Sequence, residues 1–374
     1  MDPFETKFIL PIISIVAAVM VIVFIWLTER WNKSDVSEQK KRKGFINRHE
    51  NNPIMSPLPH SSWETSGVFN PAAVQDSGGR VHLLYRAIGD DGISRIGYAS
   101  SANGLDIDER LSYPVFTMQK PLRDMPEEMR RHDSVMYPSG GSWGGTEDPR
   151  IVQIDDTVYM TFNGFDGWDF IRIGIVSIKA DDFFAKRWSW SKPRFLSTKG
   201  QVHKNWVLFP EKINGKFAIL HTIVPTVMIE YIHSIDAMTK EISCPRKGGP
   251  QPGRKGHWDS KIRSAGPPPI KTPQGWLVLY HAMDDRDPHI GYKMGAMLLD
   301  LQDPTKVIAR SIAPILEPDK WYENDWKPGV VYACGAAVKD NILYVYYGGG
   351  DKHVCVAHAP IKDLVDWLMR YGKI

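Results

Sequence analysis

Residues 274–298 read QGWLVLYHAMDDRDPHIGYKMGAML: a Gln-Gly turn, an aromatic and β-branched run, a polar gap and a second apolar run. Two short strands joined through a loop are the simplest reading of such a pattern. The same pattern occurs in GGRVHLLYRA (78–87) with RIGYASS (95–101), and in DDTVYMTFN (155–163) with RIGIVSI (172–178). It returns in NGKFAILHT (214–222) with IEYIHSI (229–235), and in DNILYVYYG (340–348) with HVCVAHA (353–359). Five similar multi-strand units, with no convincing helix before Ile361–Tyr371, indicate radial repetition, and the expectation is an all-β, five-bladed β-propeller. A β-sandwich is the alternative, but a sandwich does not require the pair to recur five times.

The composition agrees with a folded domain. Hydrophobic residues are 43% and charged residues 24% of 374, so there is a core to bury. The net charge is +3, and residues 28–50 hold seven Lys and Arg against four Asp and Glu, so the rest of the chain is nearly neutral. No basic stripe follows residue 50, which argues against a nucleic-acid partner. Cys244, Cys334 and Cys355 are too few and too scattered for a disulfide framework, and no His/Cys or carboxylate spacing forces a metal.

Residues 8–27, FILPIISIVAAVMVIVFIWL, hold 20 residues without a charge. At about 1.5 Å per residue they reach about 30 Å, the hydrocarbon thickness of a bilayer. The acidic start (Asp2, Glu5) and the WLTE exit do not suit a cleaved signal peptide, so the segment is expected to be a single retained transmembrane helix behind a short tail, residues 1–7. Lys7 alone precedes it, whereas Arg30, Lys33, Lys40, Lys41, Arg42 and Lys43 follow. That asymmetry places the large C-terminal part on the cytoplasmic side of the lipid bilayer, although Asn32-Lys33-Ser34 is a formal glycosylation sequon. Residues 28–58 then read as a basic juxtamembrane linker and residues 59–374 as the propeller.

In a propeller the strand ends converge on one channel. The first strand of each pair ends in Arg86, Asn163, His221, His281 or Tyr347, a set suited to a polar ligand. The sharpest local motif is Gly145-Thr146-Glu147-Asp148-Pro149-Arg150. Two adjacent carboxylates beside a guanidinium permit opposite pKa shifts, the arrangement acid catalysis needs. A turn carrying a surface ion pair is the plainer alternative.

With that motif the chain resembles glycoside hydrolase family 130, the inverting β-mannoside phosphorylases and β-mannosidases. The matching stretches include Asn70-Pro71-Ala72, LLYRA, RIGYASSANG, GTEDPRI, NWVLFPEKINGKFAILH, AGPPPIKTPQGWLVLYH, YKMGAMLLDLQDPTKVIAR and YVYYGGGD, over most of residues 68–358. The resemblance implies a five-bladed propeller that binds a β-mannoside oligosaccharide or glycoconjugate and uses no cofactor. It implies Asp148 as the general acid, acting through the sugar's own 3-hydroxyl. By the same resemblance Asn70, Arg86, Arg95, Arg150 and Asp351 would bind the sugar, and His281 and Tyr292 would hold inorganic phosphate or activate water; Glu147 and Lys204 are added as sugar-binding candidates, and Lys204 and Arg263 are the candidate cations for phosphate.

The chain departs from the phosphorylase pattern where Leu-His-Arg-Pro becomes Leu220-His221-Thr222-Ile223, and where Lys261-Ile262-Arg263 brings a cation from Lys261 or Arg263. Phosphorolysis needs one acid and several cations, whereas hydrolysis needs a second carboxylate about 6.5–9.5 Å from the acid. Glu211, Asp284, Asp285, Glu317, Glu323 and Asp325 are the candidate bases. Phosphorolysis to mannose 1-phosphate is favoured slightly, with hydrolysis the alternative and a non-catalytic glycan-binding propeller a second. Trp143, Trp168, Trp206, Trp258 and Trp326 are the candidate subsite walls.

Overall fold

The computed structural model describes residues 20–23, 26, 45–118, 139–166, 171–238, 240–244, 251–287 and 291–374. The chain divides into two compact units, Met1–Lys43 and Gly44–Ile374. In the first, residues 20–23 and 26 are helical and Met20, Val21, Ile22, Val23 and Trp26 are exposed. Among the described residues no helix is long and apolar enough to cross a membrane. The tail 1–7 and most of the expected span 8–27 lie outside the described residues, as does the linker up to residue 44.

The second unit is all-β, and its strands fall into five successive antiparallel groups. Blade I holds Gly67–Gln75, Val81–Ile88, Ile93–Ser101 and Glu109–Arg110. Blade II holds Gly144–Ile154, Thr157–Asp166, Ile171–Lys179 and Arg194–Phe195, and a short parallel register, Ile93↔Gly144 and Ser94↔Gly145, joins it to blade I. Blade III is Val207–Leu208, Phe217–Thr222 and Met228–Ile232. Blade IV is Lys261–Ala265, Gly275–Met283, Lys293–Leu299 and Val307–Arg310, with Gln251–Pro252 and Ile270–Thr272 added at its edges. Blade V is Val331–Lys339, Ile342–Gly349 and His353–Pro360, and its outermost strand is Asn47–Arg48, from ahead of blade I.

That last pairing corrects the linker boundary. Residues 45–58 do not float between two domains: Asn47 and Arg48 pair with His358 and Ala357, and Met55 bridges to Val354. The chain's own N-terminal strand thereby satisfies the edge of the last blade, leaving fewer unpaired backbone groups there.

In blades III and V the turn that leads from the inner strand into the first strand of the pair is built from residues that tolerate a left-handed backbone. Asn214 and Gly215 have φ of 52° and 74°, and Asp340 and Asn341 have 52° and 62°, as a two-residue type I′ hairpin requires. The helix Ile361–Tyr371 buries Leu364, Val365, Trp367 and Leu368 in the core shared by blades IV and V.

Each pair is preceded by a third, inner strand; that of blade I packs on those of blades II and V, and that of blade II on that of blade III. Their approach is close where the last blade meets the first: a Cβ on Gly335 would lie 2.5 Å from Ala73 N and 2.6 Å from Pro71 O. Backbone cannot retreat as a flexible side chain does. Gly335→Ala is therefore expected to lower stability by about 1–3 kcal/mol, read from urea unfolding. An unchanged midpoint would mean the two blades do not meet there.

Candidate active site

The inner strands carry the site because they are not regular. Blades I, II, IV and V slip register between Phe69 and Ala72, Glu147 and Arg150, Ile262 and Ser264, and Ala333 and Gly335. The residues in excess are Asn70-Pro71, Asp148-Pro149, Arg263 and Cys334. A bulge re-aims side chains, and a proline within it removes a backbone donor that the ladder cannot use. Asn70 and Asp148 sit at φ 50° and 49°, and Asn205 and Asp351 at 66° and 52°. Asn and Asp tolerate this region better than other side chains, and such conformations cluster at functional sites.

All four line one open cavity of ≈ 370 Å³, together with Arg86, Ser139, Gly140, Lys204, Arg263, Tyr292, Lys327 and Tyr332. An adjoining cavity of ≈ 530 Å³ shares Lys204, Asn205 and Arg263 and adds His203, His221, Thr222 and Gln251.

Asp148 is the buried carboxylate at the centre. Its Oδ1 accepts hydrogen bonds from Asn70 Nδ2 at 2.8 Å and Arg86 Nη1 at 3.2 Å, and Asn163 Nδ2 lies 3.4 Å from Oδ2. Burial alone would raise its pKa, but Arg86, Arg150 and Lys204, with the Asn70 hydrogen bond, outweigh it and hold the group at about 2. At neutral pH Asp148 is therefore ionised.

Glu147 lies behind it, fully buried. Its Oε1 accepts from Arg86 Nη2 at 2.8 Å and Ser142 Oγ at 3.1 Å, and its Oε2 from Lys204 Nζ at 2.9 Å and Ser139 Oγ at 3.0 Å. Burial lowers the pKa of Lys204, and Glu147 and Asp148 oppose that. Lys327 pairs with Asp351 at 3.1 Å. Arg263, whose charge is sustained against burial by Tyr292, Tyr332 and Asp148, has no ion-pair partner among the described residues.

Of the residues singled out from sequence, Asn70, Arg86, Asp148, Lys204, Arg263, Tyr292 and Asp351 line the cavity. Glu147 and Arg150 do not reach its surface: Arg150 donates from Nη1 to the Asp148 carbonyl at 2.8 Å and from Nε to the Gly266 carbonyl at 3.2 Å, and its Nη2 is buried without an acceptor. Arg95 is not in the cavity, because Asp91 holds its guanidinium, Nη1 to Oδ1 at 3.0 Å.

His281 is displaced one layer back. It is fully buried, its Nε2 accepts the Ala333 backbone N–H at 2.8 Å, and its ring stacks on Tyr332 at 3.9 Å and 13°. Burial, then Arg150, pushes its pKa down to about 3, so it is a neutral support for the cavity wall.

The candidate bases are engaged elsewhere. Glu211 pairs with Lys271, Asp284 with Arg286, Glu317 with Lys293, and Asp325 with Lys352 and His353. Asp285 accepts from Ser260 Oγ at 2.7 Å, and Glu323 is buried against Arg48 and Tyr347. Tyr347 is thus also outside the cavity. Trp143, Trp206 and Trp258 are core residues, with Trp206 at the edge of the adjoining cavity, and Trp168 lies outside the described residues. Asn205, Lys327 and Tyr332 were not anticipated. Among the described residues no group of three His, Cys, Asp or Glu is placed to hold a metal.

The family profile described as beta-1,4-mannooligosaccharide phosphorylase, Glyco_hydro_130, matches residues 28–370. The chain is 38% identical over 329 residues to 1,2-beta-oligomannan phosphorylase of Thermoanaerobacter sp. (strain X514), covering 85% of this chain and 98% of that protein. Its fold is similar to beta-1,2-mannobiose phosphorylase from Listeria innocua in complex with beta-1,2-mannobiose, with TM-score 0.64, 25% identity, and coverage of 86% and 99% of the two chains. It is equally similar, at TM-score 0.64 and 25% identity over 86% and 95%, to a structure described for glycoside hydrolases of the same family that target beta-1,2 mannosidic linkages in Candida mannan. A match that runs from residue 28 to residue 370, over inner strands that already converge on one buried carboxylate, makes this protein a member of glycoside hydrolase family 130, an enzyme acting on β-mannosides.

Proposed function

We propose that the protein is an inverting phosphorylase of β-1,2-linked mannosides, with inorganic phosphate as co-substrate and α-mannose 1-phosphate as product. The observation that carries the reading is the charge on the cavity wall. Arg86, Lys204, Arg263 and Lys327 face it, against Asp148 and Asp351 alone among the described lining carboxylates, and Asp351 is committed to Lys327. Hydrolysis by inversion needs a second carboxylate to activate water, and every base suggested by the sequence is paired away from the cavity. The β-1,2 linkage is carried over from the relatives.

In this reading the anomeric C–O bond breaks as the proton of the Asp148 carboxyl group passes, through the sugar's 3-hydroxyl, to the leaving oxygen. A phosphate oxygen forms the new bond on the opposite face. Arg263 is the cation suited to hold that phosphate. The arriving negative charge offsets the cations that keep Asp148 ionised, so phosphate binding favours the protonated acid the reaction needs.

The reverse reaction tests this. Supplied with α-mannose 1-phosphate and mannose, the enzyme is expected to form a β-1,2-linked disaccharide and release one phosphate per bond. Release of phosphate without disaccharide, or no reaction, would count against it.

We also propose that residues 8–27 anchor the enzyme in a lipid bilayer with the propeller on the cytoplasmic side. The support is the 20-residue uncharged run and the exposed apolar helical residues 20–23 and 26. Val16→Lys together with Val19→Lys should release the full chain from carbonate-washed membranes, since each lysine costs about 2.5–3.5 kcal/mol at mid-span. Unchanged membrane retention would refute the anchor.

A further inference from the structure

We infer that Tyr332 is a phosphate-binding residue, donating its phenolic hydrogen to the phosphate that Arg263 holds; the inference rests on the phosphorylase reading above. The argument follows the hydrogens outward from Asp148. Asn163 Oδ1 accepts the backbone N–H of Asn205 at 2.9 Å, which fixes that amide and turns its NH2 group towards Asp148 Oδ2 at 3.4 Å and Asn205 Oδ1 at 3.1 Å. With its oxygen facing Asn163, Asn205 must present its own NH2 to Tyr332 Oη at 2.8 Å and to Ser264 Oγ at 3.1 Å. The phenol oxygen is therefore an acceptor in this network.

The other charged neighbours of that oxygen are donors as well. The Arg150 and Arg263 guanidiniums both lie against the phenol, and a guanidinium accepts nothing. Ser264 Oγ lies at 3.3 Å, accepts from Asn205 at 3.1 Å, and can still either donate to the phenol or accept from it. The phenolic hydrogen can go to Ser264 or to an acceptor in the cavity that Tyr332 lines, and an anionic oxygen there is the stronger acceptor. Burial raises the phenol's pKa, so the proton stays in place as a donor.

The ring cannot turn away to satisfy itself elsewhere. His281 stacks on one face at 3.9 Å and Tyr292 meets it edge-on at 5.6 Å and 90°. A hydroxyl fixed in this way, beside two guanidiniums, suits a ligand with several anionic oxygens rather than a neutral sugar hydroxyl. One phosphate oxygen can take Arg263 and a second the Tyr332 hydroxyl. His281 acts through Tyr332 as a positioning residue.

Tyr332→Phe keeps the stacked ring and removes one oxygen. The expected result is a KM for phosphate raised about 10-fold or more, the range for a lost hydrogen bond to a charged group, with KM for β-1,2-mannobiose within about twofold. Calorimetry with inorganic phosphate alone should show the same loss of affinity in the variant. The proposal is overturned if phosphate KM and phosphate affinity are unchanged, or if the mannobiose KM rises as much as the phosphate KM. A wild-type enzyme whose rate does not depend on phosphate would overturn the phosphorylase reading itself, whereas a phosphate-dependent wild type with an unaffected variant overturns only the role of Tyr332.

Discussion

Asp148→Asn is expected to lower kcat by about 10³-fold, within the range for removal of a general acid, while β-mannoside binding persists. Asn is the informative substitution because residue 148 sits at φ 49°, a conformation Asn adopts readily, so the bulge between Glu147 and Arg150 is preserved. The side chain keeps its size and loses its negative charge and its ability to carry a proton. Steady-state kinetics and sugar binding by calorimetry, measured on the same preparation, separate chemistry from folding. A variant with more than a tenth of wild-type kcat would remove Asp148 from the acid role.

The same substitution has a stability consequence with a defined sign. The folded-state pKa of Asp148 is depressed, to about 2 from an ordinary 3.8. Its ionised form therefore contributes stability that is present above about pH 4 and is lost as pH falls through about 2. Wild type should lose more stability than Asp148→Asn between those limits, and equal slopes would show that the cations around Asp148 do not hold it ionised.

Glu147→Ala carries the second large effect, on the fold of the site rather than its chemistry. Glu147 is fully buried and answers two buried cations, Arg86 at 2.8 Å and Lys204 at 2.9 Å. Removing it takes the Glu147 ion pair from both and leaves Arg86 with Asp148 as its remaining carboxylate. Breaking a buried pair by deleting one partner costs about 3–5 kcal/mol, or a fall in Tm on the order of 10 °C in a domain of this size. Glu147→Gln, which retains an acceptor and the volume, should cost clearly less. Equal and small effects of the two substitutions, read by thermal unfolding, would mean that water reaches Arg86 and Lys204 and that the cluster is not sealed.

The five strand pairs could be read from the sequence because they are regular: a turn, an aromatic run, a gap and a second run. The inner strands could not, although they carry the chemistry. GVFNPAAVQ, GTEDPRIVQI, KIRSA and VYACGAAVK are interrupted by the bulges that present Asn70, Asp148 and Arg263, and the interruption hides the alternation by which strands are recognised. Asn70-Pro71 and Asp148-Pro149 were the available signal, a left-handed-tolerant residue followed by proline.

Of the five strand ends expected to converge, Arg86 faces the cavity and Asn163 stands beside Asp148. His221 lines the adjoining cavity, and His281 and Tyr347 are buried away from the channel. Strand register alone cannot separate these outcomes, since each depends on what the neighbouring blade places opposite. For Arg95 the sequence does offer a partner outside the cavity, Asp91, four residues earlier across a glycine turn. Tyr332 and Lys327 carried no signal: one reads as a core aromatic and the other as a solvated loop lysine.

The most direct test of the account is product analysis of the wild-type enzyme with β-1,2-mannobiose, with and without inorganic phosphate. Cleavage that requires phosphate and yields α-mannose 1-phosphate plus mannose is the predicted result. Cleavage to two molecules of free mannose, at a rate indifferent to phosphate, would contradict it and would require a water-activating carboxylate beyond Asp148.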